Sequence, residues 1–140
     1  MSHPEHLLTI VEPSPGGDTT LDLARDTVAR GGTATVLMVI TDRVKRDIRN
    51  FAESEGLAIG EAEAIALEQL QTQCQDRIGD VPWLVTKYGA ISSDVVQYVT
   101  ADTTAVAIPA RLVTDKLVER IATYSGRPVI VAPYRVPAAA

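Results

Sequence analysis

A chain of 140 residues, 46% apolar and 22% charged, has the length of one domain and the composition of a folded one, which argues against a disordered or low-complexity segment. Thirteen Lys and Arg against eighteen Asp and Glu leave a net charge of −5, and with no basic footprint for a phosphate backbone, nucleic acid is set aside as a partner. The single Cys74 excludes an intramolecular disulfide or a multi-cysteine metal site, and its apolar helical neighbours predict a buried, inert thiol in a reducing compartment.

The polar start Met1-Ser2-His3-Pro4-Glu5-His6 is followed by only five residues of apolar strand. That is too few for a signal sequence or a membrane span, so the cytoplasm is expected and no membrane partner. Leu7 to Val11 is a β-rich run stopped by Glu12-Pro13-Ser14-Pro15-Gly16-Gly17, which predicts a first strand and its loop. Asp18 can cap a helix over roughly 18–30, with Leu21, Ala24 and Val28 on one face and Gly31-Gly32 ending it. Thr35 to Ile40 is an unbroken apolar run, the mark of a strand buried on both faces of a parallel sheet. Arg43 to Ile78 reads as helix with a break between Gly56 and Gly60, and Ala62, Ile65, Ala66, Gln69, Leu70, Gln73 and Cys74 trace its apolar stripe.

Val81 to Tyr88 predicts a third strand, Gly89-Ala90 a turn, and Ser92 or Ser93 the cap of a short helix burying Val95, Val96, Tyr98 and Val99. Thr104 to Ile108 forms a fourth strand stopped by Pro109. Thr114 can cap a last helix with Leu117, Val118 and Ile121 inward, Gly126 ends it, and Arg127 to Pro133 is a fifth strand before a frayed tail at 136–140. Five apolar strands alternating with helices predict one α/β domain over residues 1–140. Its expected form is an open five-stranded parallel sheet of order 3-2-1-4-5 with helices on both faces, Rossmann-like.

In such a sheet a ligand lies outside the carboxyl ends of the strands, where the strand order reverses, which directs attention to the loops after strands 1 and 4. The Glu12 to Gly17 loop could hold a phosphate at the start of the first helix, but neither G-x-G-x-x-G nor G-x-x-x-x-G-K-[ST] is present, and Gly16-Gly17 is ordinary turn chemistry. Catalytic groups are no easier to find. The two histidines, His3 and His6, sit at the N-terminus where disorder is expected, and H-E-x-x-H, G-x-S-x-G and a Cys-His pair are all missing. Glu61 and Glu63 point to different sides of a helix, and Lys45, Arg46 and Arg49 are interleaved with Asp47, Glu53 and Glu55 as on a solvated helix face. Trp83 and the scattered Tyr88, Tyr98, Tyr124 and Tyr134 read as core packing with a hydrogen-bonded polar tip.

Two stretches, Leu7 to Ser14 and Val118-Glu119-Arg120-Ile121 through Arg127-Pro128-Val129-Ile130-Val131, resemble the universal stress protein family. The likeness spans nearly the whole chain. Glu12 and Ser14 resemble that family's Asp-x-Ser after the first strand, and the closing words resemble its Ser-Glu-Arg-Val helix and Cys-Pro-Val-x-Val strand. Members that bind ATP carry G-x-x-G, nine residues, then G-[ST] after strand 4; here the chain reads Ile108-Pro109-Ala110-Arg111-Leu112 and later Asp115-Lys116. Side chains replace bare backbone, and Asp115 puts a negative charge where a phosphate would meet the last helix, so the resemblance is to the branch that does not bind ATP.

The resemblance implies a non-catalytic, cytoplasmic stress-response module with no cofactor. Its partners would be a second copy, paired edge to edge through Val129, Ile130 and Val131, and an unidentified protein or weak ligand. The alternative cover for that edge is the Tyr134 to Ala140 tail. The alternative function is an adenine-nucleotide sensor or slow ATP hydrolase, with ATP or AMP held by Glu12, Ser14, Val39 and Arg111; Glu12 and Val39 resemble base-contacting positions, and a guanidinium can clamp a phosphate. A flavin or redox carrier is disfavoured because the first loop lacks a Ser/Thr-rich phosphate cradle.

Overall fold

The computed structural model describes residues 5–12, 19–87 and 95–132, with the backbone alone of Thr86, Lys87, Arg111 and Asp115. Several expectations fall outside this set: His3, Ser14, the Asp18 cap, Tyr88, the Gly89-Ala90 turn, the Ser92 or Ser93 cap and the tail from Tyr134.

The elements in chain order are β1 (His6–Val11), α1 (Thr19–Ala29), β2 (Thr33–Ile40), α2 (Asp42–Glu55), α3 (Ile59–Ile78), β3 (Trp83–Lys87), β4 (Ala105–Pro109), a 3₁₀ turn (Ala110–Leu112), α4 (Asp115–Ser125) and β5 (Val129–Ala132). A helical turn also stands at residues 95–97. The sheet has the order β3-β2-β1-β4-β5. Every pairing is parallel, with Thr9 opposite both Val36 and Ala107 at its centre. This is the expected Rossmann-like α/β architecture.

Alternation along the strands divides the core. Leu8 and Ile10 of β1 join Leu37, Val39, Val106 and Ile108 beneath Val95 and Ile121. On the opposite face Val11, Val36, Met38 and Ile40 pack against Leu21 of α1, Val44, Ile48 and Ala52 of α2, and Ala62, Leu70 and Cys74 of α3. A smaller cluster of Leu7, Ala24, Ala34 and Ala107 seats the middle of α1 where small side chains let it approach the sheet. Each fully buried Leu, Ile or Val contributes about 1.5–3 kcal/mol relative to leaving it in water, so the two faces together hold the sheet between its helices.

The helix boundaries follow local chemistry. Thr41 precedes α2 in an extended conformation and its side-chain oxygen accepts from the Val44 N–H at 3.3 Å, while Gly56 closes the helix in the left-handed region at φ 66°. The break is shorter than expected: Gly60 lies inside the first turn of α3, which starts after Ala58. Between α1 and β2, Gly31 takes φ 90°, and at Gly32 a Cβ would stand 2.7 Å from the Glu5 carbonyl oxygen, so the close approach to β1 requires glycine.

Four local expectations need correction. Pro109 is the last residue of β4, opposite Ala132, rather than the residue after it. Gln69 is exposed, because the buried row of α3 runs at four-residue intervals through Ala62, Ala66, Leu70 and Cys74 and drifts toward Leu67 and Ile78. Thr114 occupies the cap position of α4 but its side chain makes no capping hydrogen bond. Tyr124, expected in the core, is 72% exposed near the end of α4.

Candidate functional site

The connection β1-α1-β2 builds the sheet in one direction and β4 and β5 extend it in the other, so the order reverses between β1 and β4, and the carboxyl ends of these strands are where ligands bind in this architecture. Glu12 follows β1 directly, Thr41 follows β2, and the Ala110–Leu112 turn follows β4.

Glu12 is 1% exposed, a costly place for a carboxylate unless its oxygens are supplied with donors. They are. The Thr41 hydroxyl donates to Oε2 at 2.7 Å, and an Nη of Arg43 donates to Oε1 and forms an ion pair. Since Thr41 Oγ1 also accepts from the Val44 N–H, the hydroxyl joins the end of β1 to the first turn of α2. The guanidinium comes from outside: the Arg43 side chain keeps 48% of its surface exposed.

After β4 the chain turns tightly. The Val113 N–H donates to the Ala110 carbonyl at 3.1 Å and the Leu117 N–H to the Thr114 carbonyl at 3.1 Å, while Leu112 and Val113 pack against the core beneath α4. Val39 is 3% exposed and belongs to the same apolar cluster, so its side chain is core. Of the four expected nucleotide contacts, then, Glu12 stands at the carboxyl ends with its carboxylate engaged by Thr41 and Arg43, and Val39 is buried among apolar side chains. Arg111 lies in the 3₁₀ turn with its side chain outside the described set, and Ser14 lies outside it altogether.

At the amino end of the sheet His6 is not disordered. It is the first residue of β1, its Nδ1 stands 2.5 Å from Thr33 Oγ1 and its Nε2 3.0 Å from Thr35 Oγ1. Its N–H donates to Thr104 Oγ1 and its carbonyl accepts from the Thr104 N–H. A histidine between two threonine hydroxyls and next to a strand partner is a structural tie among β1, β2 and the start of β4.

Cys74 is buried, and desolvation raises its thiol above the ordinary value. The Lys45, Arg46 and Arg49 side chains are exposed, as a solvated helix face requires. Among the described residues no group of three or more His, Cys, Asp and Glu could hold a metal ion, and no helix is long and apolar enough to cross a membrane.

Thr41 and Arg43 are the residues that sequence reasoning missed. The available signal was a threonine three residues before the first buried side chain of a helix, a cap pattern; nothing local points Arg43 toward Glu12. Neither a model of a known protein family nor a curated protein matches the chain.

Proposed function

We propose that this chain is a non-catalytic stress-response module of universal stress protein type, which works as a homodimer through contacts with a protein partner or a weak ligand and holds no nucleotide. The observation that carries this reading is the state of the carboxyl ends of β1 and β4. The Glu12 carboxylate already receives Thr41 and Arg43, and the turn after β4 uses the Val113 N–H internally and turns Leu112 and Val113 inward. A triphosphate needs the reverse, a loop with free amides and no side chains in the way.

The dimer rests on β5. It is an edge strand, Ile130 and Val131 are each 42% exposed, and Val129 is packed against the core. An apolar edge strand is a template for another strand, and a second copy related by a two-fold axis pairs β5 with β5, leaving the β3 strands at the two outer edges of the joined sheet.

Titration calorimetry with ATP, ADP and AMP tests the nucleotide-free reading, with no saturable heat expected up to millimolar ligand. Micromolar binding would replace it with the nucleotide-sensor or ATP-hydrolase reading, in which Glu12, Ser14 and Arg111 make the contacts.

A further inference from the structure

We infer that the turn between α2 and α3 docks a basic amphipathic segment of a partner protein, its apolar side chains seated on Phe51, Leu57 and Ile59 and its Lys or Arg beside the surrounding glutamates. Both helices carry an apolar stripe past the core at this end. In α3 the row that packs inward through Ala62, Ala66, Leu70 and Cys74 begins one turn earlier at Ile59, which is 55% exposed. In α2 Phe51 lies two turns beyond the buried Val44 on the same flank and is 38% exposed. Gly56 turns the chain between them, the Leu57 N–H donates to the Ala52 carbonyl at 2.9 Å, and Ala52 and Ala62 pack in one cluster. Phe51 and Ile59 therefore emerge at the same end of the helix pair, with the half-buried Leu57 between them in the chain. Single exposed apolar side chains are ordinary, but two core stripes that run out at one turn leave a patch.

Charge decides what fits there. From Asn50 to Asp76 the chain has six carboxylates and no Lys or Arg, whereas its overall net charge is −5, so this stretch carries the acidity of the molecule. Glu53, Glu55 and Glu61 are exposed around the apolar residues, and among the described residues none of the three has an ion pair. The α2 cations Lys45, Arg46 and Arg49 stand, by helical spacing, on the flank away from Phe51. Such a surface repels nucleic acid, an anionic membrane and the same turn of a second copy, and it attracts a chain that joins apolar side chains to Lys or Arg. A helix with apolar anchors on one face and cations beside them meets both demands.

Such a contact rests on the reading of the chain as a module that works through a protein partner. Nucleotide calorimetry tests that reading and a peptide titration tests the turn, so the two fail separately. The probe is a fluorescent synthetic peptide of about fourteen residues with Leu on one helical face and Lys on the other. It is titrated with the full chain at low salt, where exposed charges are least screened, and followed by anisotropy. A peptide with Ser in place of Leu and one with Glu in place of Lys are the controls. The wild type is expected to bind the Leu/Lys peptide saturably and each control at least about tenfold more weakly. Phe51→Ser/Ile59→Ser and Glu53→Gln/Glu55→Gln should each lose about tenfold in affinity. Asp102→Asn/Glu119→Gln, which removes two exposed carboxylates elsewhere, should bind as the wild type does. The inference is overturned by absence of saturable binding, by a control peptide that binds as tightly, or by a variant at the turn that keeps wild-type affinity. A loss in Asp102→Asn/Glu119→Gln as large as at the turn overturns it too. If Phe51→Ser/Ile59→Ser is unfolded, Ile59→Ser alone carries the same expectation.

Discussion

Thr9 sits at the middle of β1 with its side chain fully buried on the face shared with Leu7 and Val11, and its hydroxyl has no hydrogen-bond partner among the described residues. A desolvated hydroxyl without a partner costs stability, so Thr9→Val is expected to raise the urea-unfolding free energy by about 1 kcal/mol; a loss of similar size would reveal an acceptor that the geometry does not contain. Cys74 makes a pH prediction. Burial raises its thiol above the ordinary 9.0, so between that value and the higher folded one the native state keeps a proton that the unfolded chain has lost. Stability therefore falls as pH climbs from 9 toward and through the folded value, and Cys74→Ala should flatten that part of the urea-derived stability profile. The buried thiol was legible in the apolar spacing of its helix. The engagement of Glu12 was not, because its partners lie 29 and 31 residues away and no periodicity encodes which side chains meet across a β-α crossover. His6 failed for a related reason: its ring is held by threonines on a neighbouring strand, 27 and 29 residues on.

The two threonine caps separate what a sequence pattern promises from what geometry delivers. Both Thr41 and Thr114 precede a helix in extended conformation, yet Thr41 accepts a backbone N–H and Thr114 does not. Thr41→Ala should cost about 1–2 kcal/mol, since it also removes the donor to Glu12, whereas Thr114→Ala should stay within about 0.5 kcal/mol, as urea unfolding of the two variants will compare. The strands themselves were easy to read: from Val36 to Ile40 β2 is apolar and buried on both faces, which leaves that stretch no polar alternation. The stripe of α3 was harder, because a 20-residue helix drifts around its neighbours and carries Gln69 to the surface while bringing in Leu67. For β5, placing a charge on the exposed edge at Ile130 should abolish the proposed pairing with a second copy. Ile130→Lys is expected to sediment as a monomer with its fold retained, and a dimer that persists would assign the contact to another surface.

Across the whole molecule the order of five strands and their helices was legible because strand-helix alternation and right-handed crossovers leave few topologies for a chain of this length. The candidate site was less legible, since fold does not fix activity and its groups lie at the ends of strands, where long-range pairing governs. The proposed protein is a dimer whose strand ends hold no nucleotide. Native mass spectrometry of the chain purified without added ligand tests both halves at once. The expected result is a dominant species at twice the 15.0 kDa chain mass with no adduct, and a chain that carries an adenine nucleotide, or one that remains monomeric at micromolar concentration, would contradict it.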